Sequence, residues 1–340
     1  MSKTAVITGI SGQDGIYLAR LLLSKGYEVH GITLYSPHEN RSSLVSKIGH
    51  SNLNVCYGDI TDAGYIHKVL HEIRPDEIYN LAAQSHVAVS FDVPVATAQI
   101  NALGPLRILE TLRTESMKNC RFYQASSSEM FGNQPPPQNE DSPLQPCSPY
   151  GVSKVYAYHT VRLYREAYGL HASNGILFNH ESPLRGPEFV TRKITRAVAA
   201  IKFGQQDHLA LGNLDAVRDW GHAEDYVRGM WMMLQQDEAS DYVLGTGVTH
   251  SVREFVEAAF SYADIKIEWA GDGVDEIGRD SKTGQKLVII DPAYFRPCEV
   301  NHLCADASKA KEQLGWSPER SFDELVADMM AHDIALLNQN

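Results

Sequence analysis

Tyr150 and Lys154 stand four residues apart in "SPYGVSKVYAYHTVRLYREAYG", a spacing that puts both side chains on one face of a helix. A lysine cation beside a phenol stabilises phenolate, so such a tyrosine can exchange protons near neutral pH. A second reactive group closes an apolar run: "FYQASSSEMFG" ends in Ser126, Ser127, Ser128 and Glu129. Hydroxyls at a strand end can bind a hydroxylated substrate, while some of them satisfy backbone groups. Glu129 is the unusual member. A tyrosine and one hydroxyl suffice for simple oxidoreduction, so an added carboxylate implies a further proton transfer.

A third group lies near the N-terminus, where "TAVITGISGQDGIYLARLLLSKG" sets Gly9, Gly12 and Gly15 between a strand pattern and a helix pattern. Glycines there permit a tight turn and close backbone approach, letting helix N-terminal amides meet a dinucleotide pyrophosphate. A tyrosine and lysine at helical spacing more often mean packing. Together with this loop and the strand-end carboxylate, they read as a functional set.

These groups need a frame that gathers them. "TAVIT", "EVHGIT", "NVCYGD", "EIYNLA" and "RFYQAS" read as strands, and "GIYLARLLLSKG", "AGYIHKVLHEI" and "VATAQINALGPLRILETLR" as helices between them. The alternation predicts an α/β fold with a Rossmann-like, doubly wound parallel sheet, which delivers strand ends to one ligand crevice. After about Phe178 the chain becomes richer in turns, consistent with a smaller, discontinuous α/β lobe that binds substrate. "AEDYVRGMWMMLQQ" and "YVLGTG" read as a helix and strand that return to the large sheet. The expected division is residues 1–178 plus about 215–248 for the dinucleotide, and about 179–214 plus 249–340 for the substrate. Ser321 and Glu324 form a capping-box pattern ahead of the last helix.

The 340 residues exceed the usual size of a single core. With 43% hydrophobic and 21% charged residues and no apolar run near the roughly 20 residues of a membrane span, the composition is that of a soluble protein; no secretory signal pattern is visible before "KTAVIT", so the expected setting is the cytoplasm. A net charge of −12 disfavours nucleic acid or anionic membrane as partners. Five cysteines without a Cys-x-x-Cys pair read as free thiols, with neither a disulfide framework nor a metal site.

The Gly-x-x-Gly-x-x-Gly spacing resembles that of the short-chain dehydrogenase/reductase superfamily. More specifically, "TGISGQDGIYLA", "YNLAAQSHVAVSF", "YQASSSEMFG", "SPYGVSK", "GILFNHESPLRG", "RDWGHAEDYV", "YFRPCEVNHL" and "SKAKEQLGW", spread from residue 8 to residue 316, resemble the GDP-mannose 4,6-dehydratases of its extended branch. The resemblance implies oxidation of a GDP-linked sugar at carbon 4, loss of water across carbons 5 and 6, and return of hydride to carbon 6. It makes Tyr150 the base of hydride transfer, Lys154 its electrostatic partner and Glu129 the acid/base of elimination. Ser127 takes the hydroxyl position, where threonine is more usual.

By the same resemblance, Gly9, Ser11, Gly12, Gln13, Asp14 and Gly15 meet the cofactor. Asp59, Ile60, Leu81, Ala82, Ala83, Ser85, His180 and Arg185 join them, together with Tyr150 and Lys154; His180 reads equally as a hydrogen-bonded core histidine. Substrate contacts fall on Ser85, Ser127, Glu129, Asn179, Lys193, Arg218, Arg296 and Glu299, with a surface ion pair as the other reading of each arginine. "GITLYSPHENRSS" holds no early carboxylate for an adenosine 2′-hydroxyl, which points to NADP. Arg41 and its neighbouring serines are then 2′-phosphate ligands or part of a solvated turn. The paired arginines frequent in the family are absent here, so NAD stays open. The resemblance also implies a homodimer through helices of the large lobe, or a homotetramer through residues 34 to 50. A dehydratase of a GDP-linked heptose or other modified GDP-sugar uses the same nucleotide motifs. An epimerase or reductase needs Tyr150 and Lys154 but not Glu129, and a non-catalytic nucleotide-binding regulator needs none of the three.

Overall fold

The computed structural model describes residues 2–36, 41–50, 52–295 and 298–338. In the first half β1 (Thr4–Thr8), β2 (Glu28–Thr33), β3 (Leu53–Tyr57), β4 (Glu77–Asn80), β5 (Arg121–Ser127) and β6 (Ala172–Leu177) alternate with helices. Shorter strands follow: β7 (Asn179–Glu181), β8 (Leu209–Leu211), β9 (Val217–His222), β10 (Tyr242–Leu244), β11 (Thr249–Ser251), β12 (Ile267–Ala270), β13 (Ile277–Asp280) and β14 (Lys286–Ile290). The large sheet runs β3-β2-β1-β4-β5-β6-β10 with every pair parallel. Strand order reverses between β1 and β4, so the loops leaving these neighbours open a crevice at their carboxyl ends. Thr8 pairs with Asn80 and Asn80 with Gln124, which levels the ends of β1, β4 and β5.

The helix Gln13–Ser24 buries Ile16, Ala19, Leu22 and Leu23, the i, i+3, i+6 and i+7 positions of one face. The helix Pro149–Tyr168 has Ser148 as its N-cap, Pro149 at its first position and Gly169 in the left-handed region at its end, so sequence sets both of its limits. The expected single helix over 95–113 is two helices, Pro94–Asn101 and Leu103–Thr114. Pro105 has no N–H to offer the Asn101 carbonyl four residues back, and the ladder breaks there. β10 joins the large sheet beside β6, as the sequence predicts.

Two small sheets cover the other half, β11-β9-β7 and β12-β13-β14-β8. Trp220, Phe255, Val288 and Met329 share a buried core there, distinct from the one beneath the large sheet. Trp220 packs edge-on against Phe255 and stacks near Phe322. The last helix, Phe322–Asn338, starts at a reciprocal box in which Ser321 N–H donates to Glu324 at 2.8 Å and Glu324 N–H donates back to Ser321 Oγ at 3.3 Å.

Candidate active site

After β1 the chain turns at Gly9, whose φ is +72°. A Cβ there would stand 2.8 Å from the Ala82 nitrogen and 2.9 Å from its Cα, so only glycine lets the two loops meet backbone to backbone. Gly12 then precedes the helix Gln13–Ser24 with no side chain capping the helix. Exposed amide donors at the positive end of a helix dipole, with no Cβ above the turn, fit the pyrophosphate of a dinucleotide. Ser11 Oγ lies 2.8 Å from Thr33 Oγ1. Leu81 and Ala82 are tied to Thr8 by N–H bonds of 3.3 and 3.2 Å, with half-buried Ala83 and exposed Ser85 following. Asp59 accepts the Thr61 N–H at 2.8 Å. The Ile60 side chain lies in the core, which leaves only its backbone for an adenine. Arg41 opens a helix, Arg41–Ile48, where the sequence left a solvated turn open; its guanidinium sits 4.3 Å from the centre of the Tyr57 ring.

At the end of β5 the three serines divide their work. Ser126 Oγ donates to Asn174 on β6 at 3.1 Å, a purely structural bond. Ser127 joins the reactive pair: its hydroxyl bonds the Tyr150 phenol and accepts the Glu129 N–H at 3.2 Å. Glu129 occupies the short 3-10 turn Ser128–Met130. A Cβ on Gly151 would stand 2.9 Å from the Glu129 carbonyl, so glycine at this position lets the catalytic helix press against the glutamate turn. Tyr150 N–H donates to Ser90 Oγ at 3.1 Å, anchoring the helix start from the other side.

Lys154 Nζ donates to the Ala125 carbonyl at 2.7 Å and lies 5.6 Å from the Tyr150 ring centre. That carbonyl ends a buried polar ladder across three strands. Thr8 Oγ1 donates to Asn80 at 2.6 Å, Asn80 Nδ2 donates to Gln124 at 2.7 Å, and Gln124 Nε2 donates to Ala125 O at 3.0 Å. Burial pushes Tyr150 up to about 12 and pulls Lys154 down to about 8. Lys154 thus bonds a carbonyl while Ser127 bonds the phenol, and burial acts against the acidification of Tyr150 expected from the sequence.

Gln13, Asp14 and His180 do come together, but they satisfy one another. His180 Nε2 is 2.8 Å from Asp14 Oδ2 and Nδ1 is 2.8 Å from the Phe178 carbonyl. Two acceptors require protons on both nitrogens, so His180 is an imidazolium and Asp14 its counter-ion. Burial opposes the charge, yet the Asp14 carboxylate overcomes it and holds His180 above its ordinary value. Asp14 is correspondingly held below its own, with burial again opposing and His180 prevailing. Gln13 donates to Asp14 and to the His180 carbonyl at 3.0 and 3.1 Å, and accepts from Ser182 at 2.7 Å. This is the core-histidine reading of His180. Arg185 lies 3.0 Å from Glu181 and stacks on Phe189.

On the substrate side, Asn179 starts β7 and pairs with Trp220. Arg218, buried on β9, forms an ion pair with Glu299 at 3.2 Å. Lys193 sits 3.2 Å from the Tyr294 ring centre beside a cavity of about 710 Å³ that contains none of the four acid/base residues. Arg296 lies outside the described residues. Sequence reasoning missed Asp219, a buried carboxylate that accepts from Thr246 N, Thr246 Oγ1, Gly247 N and Ala305 N at 2.7 to 3.1 Å. Its only signal was a carboxylate inside the strand pattern "VRDWGH", beside the singled-out Arg218.

Comparison with known proteins extends this geometry. A family model described as GDP-mannose 4,6 dehydratase matches residues 6–329. The GDP-mannose 4,6 dehydratase of Drosophila melanogaster is 55% identical over 348 residues, covering 99% of this chain and 88% of that protein. The GDP-mannose 4,6-dehydratase of Sinorhizobium fredii is 54% identical over 342 residues, covering 98% and 97%. A crystal structure of a dTDP-glucose 4,6-dehydratase from Streptomyces venezuelae, with NAD bound, shares the fold at a TM-score of 0.80 and 24% identity, covering 97% and 96%. A match along nearly the whole chain, with more than half of the aligned residues identical in these relatives, leaves one conclusion: the chain belongs to the GDP-mannose 4,6-dehydratase family.

Proposed function

We propose that this chain converts GDP-mannose to GDP-4-keto-6-deoxy-mannose, with its own residues in the following roles. Ser127 carries the reading, because one hydroxyl touches both the Tyr150 phenol and the Glu129 backbone. Tyr150 takes the proton of the carbon 4 hydroxyl, and Ser127 orients the phenol. A bound nicotinamide supplies the hydride acceptor and, later, the hydride donor for carbon 6. The 4-ketone acidifies the hydrogen at carbon 5, Glu129 removes it, and the same carboxyl then protonates the departing carbon 6 hydroxyl. Lys154 places positive charge behind the phenol. The reaction is redox-neutral.

For the finer cofactor assignment we take NADP: Leu34, Tyr35 and Ser36 after β2 bring no carboxylate, and Arg41 stands on Tyr57 at the end of β3. Lys193 and Tyr294 at the cavity are offered to the guanine, and Arg218 and Glu299 to the diphosphate and ribose. The division into lobes is proposed as read from the sequence, with the parallel pairing of β10 on β6 supporting the return to the large sheet and β9 shared with the substrate lobe. Exposed Val152, Tyr156 and Leu163 on one face of the Pro149–Tyr168 helix support a homodimer through the large lobe, and exposed Leu34 and Tyr35 support a further contact that makes a tetramer. Among the described residues no helix is long and apolar enough to cross a membrane; five free thiols suit a reducing, cytoplasmic setting.

Product mass analysis after incubation with several GDP-sugars tests the substrate. Loss of water from GDP-mannose in preference to a GDP-heptose is expected; an isomer of unchanged mass would make the chain an epimerase. Glu129→Gln in a single turnover should accumulate a 4-keto sugar that keeps its carbon 6 hydroxyl, with little solvent deuterium at carbon 5. Normal yield of the 6-deoxy product from that variant would remove Glu129 from the mechanism. Light scattering that finds only active monomer would dismiss the oligomer.

A further inference from the structure

All five cysteines are free thiols. Cys56 and Cys120 belong to the large sheet and its edge, and Cys304 donates to the Gly247 carbonyl at 3.6 Å. Cys147 and Cys298, far apart in sequence, differ from these because they are neighbours in space, close enough for each to act on the other's charge. Asn133 fixes the neighbourhood. Its amide nitrogen lies 3.8 Å from Cys147 Sγ and donates to the Glu299 carbonyl at 3.1 Å, while its Oδ1 accepts the Asn301 N–H at 3.0 Å. The strand-like arm that follows Cys298 is thereby clipped beside Cys147. Cys147 immediately precedes Ser148, the N-cap of the helix that carries Tyr150 and Lys154. Cys298 immediately precedes Glu299, the partner of Arg218. The two thiols thus join the start of the catalytic helix to the arm on the substrate side.

We propose that Cys147 and Cys298 are a reversible redox pair, which peroxide closes to a disulfide that tethers the Glu299 arm to the head of the catalytic helix. Cys298 is exposed and Cys147 half-buried, so Cys298 meets the oxidant first. Its thiolate attacks one peroxide oxygen, the O–O bond breaks, and sulfenic acid forms with release of water. The Cys147 sulfur then displaces the hydroxyl of that sulfenic acid as a second water. Two thiols and one hydrogen peroxide become one disulfide and two waters, with two electrons passing from sulfur to oxygen. A thiol reductant reverses the change by exchange. Burial holds the Cys147 thiol above its ordinary value, with the neighbouring Cys298 adding to the effect, which suits a resolving rather than an attacking thiol.

Closing the pair brings two neighbouring sulfurs to about 2.05 Å. Glu299 is the next residue to Cys298, so the movement pulls on its ion pair with Arg218. Weaker nucleotide-sugar binding in the oxidised state follows, and this consequence rests on the substrate role proposed for Arg218 and Glu299. The cross-link itself does not.

The test uses the full chain treated with hydrogen peroxide, then alkylated and digested. The expected result is the loss of two alkylatable thiols, a mass lower by about 2 Da, a linked peptide pair containing Cys147 and Cys298, and recovery with dithiothreitol. In the oxidised protein KM for GDP-mannose should rise about tenfold and return on reduction, with Cys298→Ser active and insensitive to peroxide. A disulfide between any other pair, or sulfinic acid at Cys298 without a cross-link, overturns the proposal. A Cys147–Cys298 cross-link with unchanged KM overturns its regulatory part. If GDP-mannose is not turned over at all, the function proposed above falls, while the linked peptide still decides the disulfide.

Discussion

Asp14 and His180 face each other across 2.8 Å with every ring nitrogen and much of the carboxylate engaged. Lys154, also buried, donates to the Ala125 carbonyl and stands 5.6 Å from the Tyr150 ring centre. In the first corner the buried charges are paired, and the pairing holds both groups in their ionised forms. In the second, burial drives both titratable groups toward neutrality, Tyr150 up and Lys154 down. A completed ion pair holds its charges fixed, whereas a buried lysine brought down to about 8 stands close to a change of charge. Sequence placed Asp14, Tyr150 and Lys154 at the ligand and read His180 equally as a ligand contact or a core histidine; the difference in pairing distinguishes the two corners.

Tyr150→Phe makes the most severe break. It should lower kcat about 10²–10⁴-fold and stop the reaction before any 4-keto sugar forms, as product mass reports. A loss of less than tenfold would move proton transfer elsewhere.

Lys154→Met should cost activity about 10²-fold and yet stabilise the fold at pH 7 by about 1–3 kcal/mol. The folded value near 8 lies below the ordinary 10.5, so between these pH values the unfolded chain holds more protons and the native protein gains stability as pH rises. The cost is full below about pH 8 and gone above about pH 10.5. Urea titrations at pH 7 and pH 10.5 should show the advantage of the variant only at the lower pH; an equal effect at both would mean that packing, not charge, separates the proteins.

His180→Gln sharpens the other side. A raised folded value contributes stability that is complete below the unfolded value near 6.5 and fades as pH climbs through the folded one. The variant should lose about 2–3 kcal/mol at pH 6 and less at pH 9, while kcat changes under tenfold. A kcat collapse with unchanged stability would make His180 part of the chemistry.

The smallest effect is expected at Arg41. Arg41→Ala should weaken NADP about fivefold and leave NAD nearly unchanged, because only NADP carries the 2′-phosphate. Equal weakening would assign Arg41 to the Tyr57 stack instead.

The large sheet was legible because its strands are near-continuous apolar runs and its helices repeat at helical spacing. Tyr150 and Lys154 were legible because both lie on one helix. The pairing of Asp14 with His180 depends on β7 reaching back to the first helix, which no local pattern announces. Which of three adjacent serines meets the phenol depends on the twist of β5 into the 3-10 turn. The burial that acts on Tyr150 was not legible for a related reason: it is a property of the whole packed crevice, and spacing on one helix does not contain it. The helix break near Ala102 was within reach of sequence, through Pro105, and the apolar periodicity on both sides hid it.

The ladder from Thr8 through Asn80 and Gln124 to the carbonyl that holds Lys154 crosses β1, β4 and β5. Slipping any one of these strands by a residue would turn its rung to the opposite face of the sheet. A slip of β5 would also shift the Ala125 carbonyl away from Lys154. Strand alignment at β5 and the seating of the lysine are thereby tied to one set of bonds, so the register of the sheet and the position of a reactive side chain are fixed together.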